Sequence, residues 1–283
     1  MNNADAVLLN HFFSRNTFRQ ILKEGTSPVY ASVVQKYIAN PDRKTHGECI
    51  REIYRYLSEE HQNEYFYKNN LLNQLLSEAS DPHTAAALTE LPVSGSKADF
   101  IFIDDNAVVY EIKTDLDNFD RLDGQISNYY KAFSRVTVVT SEGKLQELQE
   151  RLKGSPVGIC VLDREGLMSM RREPAENRQS LSKTAMFKIL RKKEYEQILL
   201  NFFDTLPSVS QFEYYRACQK LFESLPVDVA YDCFARPLKS RVKTDTAGYA
   251  KVPYELKFLA YFSNYRKREY DELQHFLQTG GKL

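Results

Sequence analysis

One stretch constrains the fold of this chain more than any other. Between Ala85 and Lys113, three β-branched and aromatic runs follow one another with little between them. Ala85–Val93 is bounded by Asp81–Pro82 and by Ser94–Gly95. Ala98–Ile103 is dense in strand formers, Asp104–Asp105–Asn106 is a turn signal, and Ala107–Lys113 is the next run. Runs joined this tightly predict a three-stranded meander. The periodicity then changes. Phe119, Leu122, Ile126, Tyr129, Tyr130 and Phe133 mark one face of a helix over 118–133. Arg135–Thr140 reads as a strand, Gly143–Leu152 as a helix and Val157–Leu162 as a last short strand. A strand that returns after a helix runs parallel to a neighbour. The class is therefore α/β with a mixed sheet.

The flanks read as helical. Ala6–Ile21 and Val29–Ile38 are short helices. Thr45 and Glu48 form a capping box, followed by the apolar stripe Cys49, Ile50, Ile53, Tyr54 and Leu57. Glu64–Glu78 is a further helix. Arg171–Ser180 is polar and contains Pro174, which suggests a boundary. Beyond it, Lys183–Phe203, Val209–Ser224 and Tyr254–Leu277 are helical. These readings divide the chain into a helical segment 1–44, an α/β core 45–174 and a helical domain 175–283.

Composition narrows the function classes. With 283 residues, 42% of them hydrophobic, the chain can bury a sizeable core. No run of apolar residues is long enough for a membrane span, and the first residues lack the basic region of a secretory signal. A cytoplasmic protein without a membrane partner is expected. Cys49, Cys160, Cys218 and Cys233 are widely spaced, which fits reduced thiols and argues against zinc. No phosphate-binding glycine motif occurs, and the scattered histidines support no nucleophilic triad. Lys+Arg and Asp+Glu are equal at 38 each, but the first 174 residues hold 20 basic and 25 acidic side chains, and the remainder 18 and 13. The balance splits into a mildly acidic and a mildly basic half.

The chemistry concentrates in the meander. Glu111 and Lys113 are two apart on a strand and face one side. If Asp104–Asn106 is a three-residue hairpin loop, counting back places Asp99 opposite Glu111. Burying two carboxylates and an ammonium is costly unless they are paired or bind a metal. Two carboxylates suit Mg²⁺, which takes oxygen ligands and keeps waters. Lys113 would stand where it can steer a bound water or stabilise charge on an attacked phosphorus.

The pattern D-x11-E-x-K, carried by Asp99, Glu111, Ile112 and Lys113, resembles the site of the PD-(D/E)XK, or restriction-endonuclease-like, nuclease superfamily. Gln125-x-x-x-Tyr129 is similar to an auxiliary motif of several branches. The run from Glu111 to Asp115 looks like a little-characterised bacterial branch. The proline of the superfamily name is missing, since Ala98 precedes Asp99. The resemblance implies an αβββαβ core with a mixed central sheet, here with added N-terminal helices and a helical C-terminal domain. It implies that Asp99 and Glu111 hold Mg²⁺ or Mn²⁺, that Ile112 offers its carbonyl, and that Lys113 assists the water. Gln125 and Tyr129 would stand beside the catalytic groups or the DNA backbone. Glu48 or Glu90 would complete the metal site. Glu48 reads equally as the capping residue of its helix, and Glu90 as a solvated strand-end carboxylate.

The implied activity is endonucleolytic hydrolysis of phosphodiester bonds, in DNA rather than RNA, leaving a 5′-phosphate. Phage defence, mobile-element processing or DNA repair would be its setting. The alternative is a nucleic-acid- or partner-binding module that keeps the fold without turnover. Many superfamily members act as homodimers, and the sequence leaves a homodimer open. Arg121, Arg191, Lys192 and Lys193 are candidate nucleic-acid contacts. Arg121 reads also as an ion-pair partner of Asp117 or Asp120, and Asp115 and Asp117 read as helix caps rather than as ligands. The further runs Arg236–Lys239–Arg241–Lys243 and Arg266–Lys267–Arg268 read as solvated faces or as a phosphate-contacting surface.

Overall fold

The computed structural model describes residues 3–242 and 245–280, the side chains of residues 3–6 excepted. In chain order the elements are α1 (Asn3–Phe12), α2 (Arg15–Glu24), α3 (Pro28–Tyr37), α4 (His46–Glu60), α5 (Glu64–Glu78), β1 (Ala86–Val93), β2 (Ser96–Ile103), β3 (Ala107–Lys113), α6 (Leu122–Tyr129), β4 (Arg135–Thr140), α7 (Leu145–Arg151), β5 (Gly158–Leu162), β6 (Met168–Arg172), α8 (Lys183–Ile189), α9 (Lys192–Phe203), α10 (Gln211–Ser224), α11 (Val227–Lys239), α12 (Thr246–Ala250), α13 (Lys257–Ser263) and α14 (Lys267–Gln278). The fold is mixed α/β. No helix among the described residues is long and apolar enough to cross a membrane. The four cysteines are free, three of them buried.

Two compact units form, and they are not consecutive segments. The first unites residues 1–78, 162–168 and 243–283; the second unites 79–161 and 169–242. This differs from the expected division at 44 and 174. The polar stretch after Arg171 is not a linker, because its backbone is pinned within the second unit. Ala175 N–H donates to the Pro156 carbonyl, Asn177 N–H to Ser134 and Ser182 N–H to Lys131, each at 2.8 Å. Arg135 also donates to the Pro174 carbonyl at 2.8 Å. The expected charge split dissolves with the boundary. The first unit carries 17 basic and 16 acidic residues, the second 21 and 22.

The second unit holds a six-stranded sheet in the order β1-β2-β3-β4-β5-β6. β1, β2 and β3 form the antiparallel meander, and β4 and β5 follow in parallel. β6 is an added edge strand that the sequence does not announce: Met168–Arg172 is largely exposed and shows no apolar alternation. One sheet face buries Ile101, Val109, Val136, Val138 and Ile159 in a core shared with Leu122, Ile126 and Tyr129 of α6. Met186, Phe187, Phe222 and Phe234 of α8, α10 and α11 extend that core. Gly158 is required where it is, because a Cβ there would lie 2.7 Å from Thr137 Oγ1 and 2.9 Å from the Pro174 ring.

In the first unit, α4 starts with the expected capping box at Thr45 and buries its whole predicted stripe. α14 returns to α4: His46 N–H donates to the Thr279 carbonyl at 2.8 Å, and the His46 ring stacks on Phe276 at 4.2 Å. Gly47 lets this happen, since a Cβ would meet the Leu277 carbonyl at 2.9 Å. A buried amide network ties the C-terminal segment to α5. Tyr254 donates to Asn70 Oδ1 at 2.6 Å, and Phe258 N–H donates to Asn69 Oδ1 at 2.9 Å.

Several helices are shorter than their periodicity suggested. Ser14 caps α2 and divides 6–21, Leu190–Arg191 divides 183–203, and left-handed Asn264 divides 254–277. α11, with Pro237 inside it, was not anticipated.

Candidate functional site

The site begins with a register. Phe100 pairs with Tyr110, Ile101 with Val109, Phe102 with Val108 and Ile103 with Ala107 across the Asp104–Asn106 loop. Continuing by one residue places Asp99 opposite Glu111. The ladder stops there. Ile112 N–H has no strand partner on that side and instead donates to Asp99 Oδ2 at 2.9 Å. A strand residue's N–H and C=O point the same way, so the Ile112 carbonyl faces β2 as well.

Glu111 and Lys113 share the face covered by α6. Glu111 is 1% exposed and Lys113 8%. The Lys113 ammonium donates to Glu111 Oε1 at 2.8 Å and to Gln125 Oε1 at 2.9 Å. Gln125 Nε2 closes the ring by donating to Glu111 Oε1. Tyr129, one turn further along α6, donates to Glu111 Oε2 at 2.6 Å. The i, i+4 spacing of Gln125 and Tyr129 puts both on one helix face. Burial and the adjacent Glu111 charge push the Tyr129 phenol far above its ordinary value, so it stays protonated. Asn128 fixes the helix over the β1–β2 turn by donating to Ser96 Oγ at 2.9 Å.

Glu90 sits opposite Asp99 on the other side. Thr89 pairs with Phe100 and Leu91 with Ala98, so the register passes through Glu90 and Asp99. Glu90 has φ +58°, the left-handed region that a glutamate adopts at a cost. Carboxylate oxygens of Glu90 and Asp99 approach within 4.8 Å. Lys97 pairs with Glu90. Sequence reasoning missed Lys97, although its place two residues before Asp99 was visible.

The other sequence candidates are placed elsewhere. Glu48 belongs to the first unit, is exposed, and has its carboxylate taken by Thr45 N–H at 2.7 Å. It serves the capping box. Arg121 is exposed at the start of α6 and makes no ion pair among the described residues, neither with Asp117 nor with Asp120. Asp117 accepts from Thr114 N–H and Oγ1 at 2.9 and 2.7 Å, and Asp115 accepts from Ser141. Neither caps α6, which begins later than the apolar periodicity implied because these contacts hold 114–118 as a turn. Arg191 and Lys193 are exposed near the start of α9, and Lys192 lies 3.8 Å from Glu196 and over the Tyr214 ring. Arg241 is no surface cation: it grips Glu194 at 2.6 and 2.7 Å with its side chain 8% exposed. Lys243, from the same run, lies outside the described residues.

A family model described as Bacteriophage P4 protein cII matches residues 57–256, more than two thirds of the sequence. The chain belongs to that family. The match contains both Asp99 and Glu111 and the whole of α6. No curated protein matches. A solved structure, a protein of unknown function from Silicibacter pomeroyi, shares 15% identity at a TM-score of 0.30, covering 49% of this chain and 94% of its own.

Proposed function

We propose that the second unit is a metal-dependent nuclease with a restriction-endonuclease-like core, hydrolysing phosphodiester bonds in DNA rather than RNA. The observation that carries this reading is Asp99 opposite Glu111 at the point where β2 and β3 part, with Lys113, Gln125 and Tyr129 locked onto Glu111. A meander followed by parallel strands, with α6 over the carboxylate face, supports the core assignment.

A divalent cation fits the donor set. Asp99 and Glu90 bring two carboxylates within 4.8 Å of each other, with the Lys97 ammonium already paired to Glu90. Glu111 does not lie within that reach of both, so a cation shared with Glu111 and the Ile112 carbonyl, oxygen donors of the kind Mg²⁺ and Mn²⁺ prefer, would have to draw these groups together. When bound, such a cation lowers the pKa of a coordinated water and offsets charge on the phosphate.

The chain's own groups do the rest. Gln125 and Glu111 take two of the three Lys113 N–H donors and aim the third. That third N–H orients the attacking water or meets the developing negative charge on phosphorus-bound oxygen. Tyr129 keeps its proton and holds Glu111 Oε2, which fixes the direction of that carboxylate.

One observation favours the non-catalytic alternative. Glu111 already accepts from Lys113, Gln125 and Tyr129, which would satisfy a purely structural carboxylate. A carboxylate accepts about four hydrogen bonds, so one direction remains for a ligand. The family's printed name is that of a phage protein. We therefore set the activity in the cytoplasm, in the processing of mobile-element nucleic acid. Incubating the protein with single- and double-stranded DNA and RNA, in Mg²⁺, in Mn²⁺ and in EDTA, tests the reading. Metal-dependent cleavage of DNA supports it, and intact substrates throughout, or cleavage of RNA alone, defeat it.

A further inference from the structure

A cavity of about 710 Å³ opens in the first unit, where α2 packs on α14. Arg15, Arg19 and Lys23 of α2 line one side, and Arg266 and Arg268 at the start of α14 line the other. The two acids in the wall do not neutralise this set. Glu269 accepts from the Arg266 backbone N–H at 2.8 Å, and Glu272 pairs with Arg268 at 2.7 Å. Arg15, Arg19 and Arg266 make no ion pair among the described residues.

Two features of this cavity work against the stability of the helices that build it. Arg15, Arg19 and Lys23 follow at i, i+4 and i+8, and like charges at that spacing destabilise a helix. Arg266, Lys267 and Arg268 crowd the N-terminus of α14, where the helix dipole is positive and favours anions. An anion in the cavity would reverse the sign of both effects. The α2 cations recur about every 6 Å along the helix axis. Such a row exceeds what one phosphate or carboxylate can span, and it suits successive charges on a chain.

We propose that this cavity binds the phosphate backbone of a nucleic-acid strand, independently of the metal site. Phosphate contacts of this kind position a strand without reading its sequence. The inference does not depend on cleavage.

The test uses the full-length protein in EDTA, with labelled single-stranded DNA, duplex DNA and single-stranded RNA of equal length followed by anisotropy across a salt series. The triple variant Arg15→Ala, Arg19→Ala, Arg266→Ala is compared with Arg55→Ala, Lys153→Ala, Lys220→Ala, which removes equal charge from exposed positions elsewhere. The cavity variant should weaken binding at least tenfold and lower the slope of log K on log salt by about 2 to 3. The control should change binding less than twofold. Thermal melting of the cavity variant should be unchanged or higher, which separates lost binding from lost fold. Equal behaviour of the two variants overturns the proposal. So does displacement of the strand by inorganic phosphate at matched phosphate concentration, which would mean a single-anion site. Binding that depends on the cavity in a protein that cuts nothing with metal would sink the nuclease reading and leave this one standing. Metal-dependent cleavage with binding indifferent to the cavity variant would do the opposite.

Discussion

The Tyr129 phenol donates a 2.6 Å hydrogen bond to Glu111 Oε2 where both residues are almost wholly buried. A neutral donor on a buried charge is among the stronger hydrogen bonds in proteins. Tyr129→Phe keeps the ring and deletes this bond, so it should lower unfolding free energy by about 2 kcal/mol. Urea denaturation with an unchanged m-value checks it. A loss below a few tenths of a kcal/mol would mean that water replaces the phenol.

The Glu90 backbone offers a separation of stability from function. Its φ of +58° is costly for a glutamate and free for a glycine. Its ion pair with Lys97 is partly exposed and contributes little. Glu90→Gly should therefore stabilise the fold by up to about 1 kcal/mol. On the proposed function it should also weaken Mn²⁺ binding measured by calorimetry. Gain of stability with metal binding unchanged would make Glu90 a bystander.

How much of this was legible depends on how local each cause is. The three residues Asp104–Asn106 fix the hairpin register, so the opposition of Asp99 and Glu111 could be counted from the sequence. The capping box at Thr45 is equally local. The start of α6 was not legible, because Asp117 turned back to Thr114 and Asp115 to Ser141. β6 escaped because an exposed edge strand need not alternate. The two-unit grouping escaped for a different reason: α14 packs beside α2 and α4 from the far end of the chain, through contacts such as His46 with Phe276. The same distance hid the basic cavity, since nothing in sequence joins Arg19 to Arg266.

Arg241 and Glu194 form a nearly buried, two-pronged ion pair in the second unit. Removing one partner leaves the other desolvated without compensation. Arg241→Ala should cost about 3 kcal/mol, and Glu194→Ala, Arg241→Ala together less than the two single changes summed. Additive losses in a denaturation cycle would contradict a direct pairing.

His46 should report on the contact between α4 and α14. Burial lowers its pKa below the ordinary 6.5, and its Nδ1 lies 2.7 Å from the Tyr30 hydroxyl. The folded state therefore binds fewer protons than the unfolded state near that pH. Stability is full above pH 6.5 and falls as pH drops from there through the folded value. Titration of the His46 ring by NMR should give a midpoint below 6.5. A midpoint above 6.5 would show that the protonated ring is the favoured form.

Whether Asp99 serves metal-dependent cleavage is decided by comparing wild type with Asp99→Asn on linear DNA at millimolar Mn²⁺. Asp99→Asn nearly preserves shape and removes one charge, and an amide oxygen can still accept from Ile112 N–H. Wild type should cleave, and Asp99→Asn should lose at least a hundredfold in rate while melting within a few degrees of wild type. Equal cleavage by both proteins would contradict this role of Asp99, and so would none by either.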